Sequence, residues 1–144
     1  MGLEWIRKFM GKVKMKNKHI QNNILRLNFE KAFLELQECN YSFEFNELSL
    51  DFPKVDCLKM YLFLIYCIIK DEDIEKHFSI CYYLYFMDPY IHDSDVIIKH
   101  HLLRILEISP KDKRVYENWI LGIYNGNPNS PFTNEEIVVL FNKM

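Results

Sequence analysis

Glycine is scarce in this chain: Gly2, Gly11, Gly122 and Gly126 are the four in 144 residues. Neither GxGxxG nor GxxxxGK followed by Ser or Thr can be written across them, which excludes the familiar nucleotide loops. HExxH and GxSxG are missing too, so there is no zinc-protease helix and no nucleophile elbow. Proline stops at five residues while 49% of the chain is apolar, a balance opposed to low complexity or disorder. No apolar run approaches the ~20 residues of a bilayer helix. The two longest, MYLFLIYCII (60–69) and FSICYYLYFM (78–87), flank KDEDIEK (70–76), which carries six charges in seven residues. The four cysteines, Cys39, Cys57, Cys67 and Cys81, stand 18, 10 and 14 apart, in no zinc pattern. Three lie in apolar runs and read as small core side chains, reduced in a cytoplasm. The basic start is not followed by an apolar stretch, so no signal peptide is expected.

Present instead are aromatics, at 15%, and helical periodicity. The run 60–69 extends back to Pro53, which suits a first helical turn, giving about 17 residues, too long for an average strand. A second helix starts at Asp73 and stops at Asp88–Pro89, and the two read as an αα-hairpin. A helix apolar nearly all round should lie centrally in its fold. Residues 3–20 form a basic amphipathic helix, with Leu3, Trp5, Ile6, Phe9, Met10, Val13 and Ile20 on one arc. Residues 21–39 form a second helix, and 41–46 a short strand or a loop. A helix over 94–108 follows, then one opened by Ser109 and Pro110 and ended at Asn125 or Gly126. TNEE (133–136) has the spacing of a capping box and opens a last short helix. Shifting by 39 aligns 55–89 with 94–128, near the period of two-helix repeats. The expectation is one all-α domain over 1–144, with six or so helices in antiparallel hairpins, a bundle or a short HEAT-like array.

His77 and Cys81, four apart, could face one metal, but two ligands do not make a site, and core packing is expected. His101 falls among Ile97, Ile105 and Ile108, a core histidine with a hydrogen-bond partner. His100 shares the polar face with Arg104 and Glu107. No set supplies nucleophile, base and orienting group together, so neither an enzyme nor a resident metal or cofactor is expected.

Charge is unevenly spread. Residues 1–20 hold Arg7, Lys8, Lys12, Lys14, Lys16 and Lys18 against Glu4, while the other 124 hold 12 bases and 19 acids. Acids gather at two helix starts, Asp71, Glu72, Asp73 and Glu75, then Asp93 and Asp95. Complementing the helix dipole is one role for them, and attracting a basic partner is another. With this size, helical content, absent secretion signal and acid set, the whole chain resembles the small cytoplasmic immunity proteins of bacterial toxin systems, including contact-dependent inhibition. The basic stretch Arg7–Lys18 departs from a uniformly acidic inhibitor. The resemblance implies a cognate protein toxin as partner, basic and nuclease-like, bound directly. Asp71, Glu72, Asp73, Glu75, Asp93 and Asp95 would meet it, with Tyr90 and Tyr116 as aromatic anchors. No small-molecule substrate is expected. The alternative is a peripheral membrane- or nucleic-acid-associated adaptor using the basic first helix.

Overall fold

A computed structural model describes residues 2–39, 48–49, 52–87 and 91–143. The described residues are helical, with no strand among them. The 41–46 segment lies outside them. The chain divides into two compact units, Met1–Lys70 and Asp71–Met144, where the sequence reads as a single domain.

In the first unit, α1 spans Gly2–Leu25, α2 Phe29–Gln37, and α3 Cys57–Lys70 behind a 3-10 turn at Lys54–Asp56. The expected break near residue 20 is displaced: α1 runs on to Leu25, and the chain turns at Leu27, whose φ of 63° is left-handed. Ile20, at the far end of the predicted apolar arc, is buried, and so is Ile24, one turn beyond it. Phe29 packs edge-on against Phe63 at 5.8 Å, and Phe33 against Tyr66 at 6.2 Å. Glu35 accepts from Asn23 (3.2 Å) and pairs with His19 (2.9 Å), tying α2 to α1. Lys59 donates to the Leu25 carbonyl at 3.1 Å, satisfying an end of α1 that no later turn can reach.

In the second unit, α4 spans Ile74–Phe86, α5 Ser94–Ile108, α6 Arg114–Tyr124 and α7 Asn134–Asn142. α4 and α5 are antiparallel, since Glu72 meets Arg104, His77 meets His101 and Cys81 meets Ile98. α6 lies parallel to α4, with Arg114 beside Glu75 and Phe78, and Trp119 beside Tyr82 and Tyr85. α6 is a π-helix, and its buried residues, Val115, Tyr116, Trp119, Ile120 and Tyr124, recur at the wide spacing of i→i+5 winding. It starts at Arg114 and not at Pro110, because Asp112 bonds back to the Ser109 carbonyl and its carboxylate takes the Arg114 amide. α7 opens with the capping box the sequence shows, Thr133 and Glu136 bonded reciprocally at 3.1 Å.

The expected hairpin over 53–87 has one helix in each unit, and α4 pairs with α5 within its own unit. The first block of the 39-residue repeat is divided by the same boundary. The division also sorts charge. Residues 1–70 carry 11 Lys or Arg against 8 Asp or Glu, and residues 71–144 carry 7 against 12.

Candidate functional site

The second unit holds a line of ionisable side chains running from surface to core. Asp73 caps α4, its carboxylate accepting the Lys76 amide at 2.8 Å. That fixes the preceding turn and brings Glu72 against Arg104 of α5. The guanidinium holds both carboxylate oxygens, at 2.7 and 3.0 Å. Arg104, with His77 behind it, lowers the Glu72 pKa to about 2. A carboxylate so held only accepts, so His77 Nε2 carries the hydrogen that it donates to Glu72 at 2.9 Å. On the other edge of the ring, His77 Nδ1 lies 2.9 Å from His101 Nδ1, with both rings buried. Burial, then the neighbouring His77 and His100, lower the His101 pKa to about 4. His101 is thus a buried histidine with a partner, as its place on the apolar arc predicts. The partner, 24 residues away, is set by the α4–α5 register.

Cys81, one turn beyond His77, does not join this line as an activated nucleophile. Its thiol donates to the Ile98 carbonyl at 3.8 Å, and burial pushes its pKa well up. Among the described residues no group of three or more His, Cys, Asp or Glu is placed to hold a metal ion.

The acids expected to face a partner are largely engaged internally. Asp71 and Asp73 pair with the buried Lys76 ammonium at 3.4 and 2.7 Å, Glu72 with Arg104, and Glu75 with Arg114 at 2.7 Å. Asp95 accepts from the Tyr124 hydroxyl at 2.9 Å, and Asp93 pairs with His92 at 3.3 Å. The two groups of acids do not converge, because they sit at opposite ends of the antiparallel α4–α5 pair. Tyr116 cannot serve as an exposed anchor: it is 1% accessible, its hydroxyl donates to the Pro110 carbonyl, and its ring meets Phe141. Tyr90 lies outside the described residues.

Exposed aromatics occur elsewhere, on one face of α4. Tyr82, Tyr85 and Phe86 stand at i, i+3 and i+4, all exposed. Tyr82 and Tyr85 rest on Trp119, at 5.1 and 6.2 Å. Trp119 is fully buried, and its indole N–H has no hydrogen-bond partner. The signal was present in FSICYYLYFM, but α4 is aromatic on nearly every side, and only the positions of α5 and α6 show which rings stay outside. A separate hollow of about 370 Å³ is lined by Leu103, Thr133, Glu135, Glu136, Val139 and Leu140, and the histidine line does not open into it.

At the far end of the chain, Leu3 and Trp5 are exposed on α1, as are Arg7, Lys8 and Lys18. No described helix is long and apolar enough to cross a membrane. No protein-family model, curated protein or solved structure matches the chain.

Proposed function

We propose that this chain is a protein-binding inhibitor of the immunity type, which neutralises a cognate, basic, nuclease-like toxin domain by direct contact. The observation that carries this reading is the Tyr82–Tyr85–Phe86 face, backed by buried Trp119, on a unit with 12 acids against 7 bases. Rigid aromatic rings over a packed base are what dominate binding energy at protein interfaces. The acidic unit supplies the long-range field, which attracts a basic partner even where individual acids are paired locally. The contact surface therefore shifts from the helix-start acids to the adjoining aromatic face, with Asp71 and Glu75 contributing charge.

The expected result is capture, from the native host, of a basic protein that arrests growth when expressed alone and is tolerated when this chain is co-expressed. Replacing Tyr82 and Phe86 together by Ala should weaken that capture by about 30-fold or more, the loss of about 2 kcal/mol typical of interface anchors. Recovery of nucleic acid alone, or a double variant that protects as well as the wild type, would refute the reading.

The exposure of Leu3 and Trp5 beside Arg7 and Lys8 favours a second reading, an adaptor whose first helix lies on an anionic membrane or nucleic acid. Deleting residues 2–16 separates the two: the adaptor loses liposome or RNA binding, whereas the inhibitor binds neither before or after.

A further inference from the structure

His77 of α4 and His101 of α5 meet through the same ring nitrogen, Nδ1 to Nδ1 at 2.9 Å, with both side chains buried. Such a contact closes only when one nitrogen carries a hydrogen and the other a lone pair. The outer end of the line decides which is which. Glu72, gripped by Arg104, takes the hydrogen on His77 Nε2. A neutral His77 therefore presents a lone pair at Nδ1. His101 must then carry its own hydrogen on Nδ1, which leaves His101 Nε2 bare. One added proton can go to that bare nitrogen and leave the contact intact, with a buried charge as the penalty. A second would set two N–H groups against each other at 2.9 Å, and the rings would have to part.

We propose that the His77–His101 contact is a proton-sensitive latch between α4 and α5: the closed helices exclude added protons, and the parted helices take up two, one on each ring. The rings then titrate as one unit and not as two separate sites. Once parted and wet, an imidazole titrates near pH 6.5, so the latch lets go on the acid side of neutrality. The neighbouring charges leave this logic in place. Lys76 is held by Asp71 and Asp73, Arg114 of α6 by Glu75 and Asp112, and Lys99 by Glu136 of α7, while Glu107 takes the far side of Arg104. His100, its ring centroid 5.7 Å from that of His101, adds like charge when protonated and so favours release. The latch needs no partner and is independent of the inhibitor reading.

Native-state hydrogen exchange of the full chain tests it, read at amides 78–84 and 98–105 and corrected for the intrinsic pH dependence of exchange. From pH 6 to pH 5 the opening equilibrium should rise about 60-fold, the factor for two protons, against about 8-fold for one. His101→Gln should reduce the rise to under about 2-fold, because the Gln amide oxygen accepts from a protonated His77 that also stays bonded to Glu72. Loss of both protons on removing one ring is the signature of a single unit, since two independently buried rings would leave about 8-fold. Nitrogen-15 spectra of the wild type at pH 7 need no variant to fold: they should show His77 with its hydrogen on Nε2 and His101 with its hydrogen on Nδ1. A wild-type rise of about 8-fold or less, about 8-fold remaining in His101→Gln, or both rings carrying their hydrogen on Nε2 would each overturn the latch.

Discussion

At the scale of single residues, the second unit is built on a buried base that folding keeps neutral. His101 takes up a proton near pH 6.5 when unfolded and near pH 4 in the folded unit. Between those values the unfolded chain binds more protons, so acid favours unfolding. The stability from keeping His101 neutral is complete above pH 6.5, declines through that window and is gone below about pH 4. It amounts to about 3 kcal/mol. Glu72 acts in the same direction further down, its contribution fading as pH falls from 4.5 towards 2. Urea unfolding of the protein at several pH values from 7 to 4 should show this decline, and His101→Gln should flatten it. An unaltered slope in the variant would remove His101 as the source. How much of this could be read beforehand follows from sequence distance. The burial of His101 is a local property of its helix face, and so is the cap at Asp73, three residues from the amide it accepts. Glu72 and Arg104 are 32 residues apart, and only the α4–α5 register brings them together. That is why Glu72 reads in the sequence as an acid awaiting a foreign partner.

At the scale of helices, boundaries were legible where a residue type forces them. Gly126 at φ 73° ends α6, and Thr133 opens α7. The α1–α2 break was not, because no glycine or proline marks it: Leu27 takes the left-handed conformation without the chemistry that favours it. The start of α6 slipped by about one turn because Asp112, which the sequence treats as helical, spends its carboxylate on the Arg114 amide and guanidinium. α7 depends most on such local chemistry. None of its residues is fully buried, and besides its capping box it is held by the Lys99–Glu136 ion pair and the Tyr116–Phe141 contact. Lys99, followed by the Thr133 amide, keeps the Glu136 carboxyl below the usual range. Thr133→Ala should therefore cost about 1 kcal/mol, felt as fraying of α7 more than as global unfolding. Hydrogen exchange would show it as faster amide exchange confined to 134–142. Equal acceleration across α4 and α5 would mean that the cap supports the whole unit.

At the scale of the molecule, the all-α class followed from helical periodicity and run length, but the partition into two units did not. KDEDIEK reads as the turn of a hairpin because charge between two apolar runs is the usual mark of one. The structure divides that segment chemically. Lys70 pairs with Glu30 of the first unit at 3.1 Å, while the next residue, Asp71, pairs with Lys76 of the second. The ion pairs that fix Glu72 and Glu75 likewise reach Arg104 and Arg114 inside residues 71–144. A unit whose starting segment is tied within itself, and whose core holds Trp119, Tyr124, Ile98, Leu102 and Ile105, has what independent folding requires. Its length is in the range where single cores are marginal but sufficient. Expressed alone, residues 71–144 should therefore give helical circular dichroism and one cooperative thermal transition, and should keep the loss of stability between pH 6.5 and 4, since every group facing His101 in that line travels with the fragment. A fragment that is helical but melts without cooperativity would show that residues 1–70 complete its core. A cooperative fragment without the acid response would instead show that the histidine line needs the first unit to stay dry.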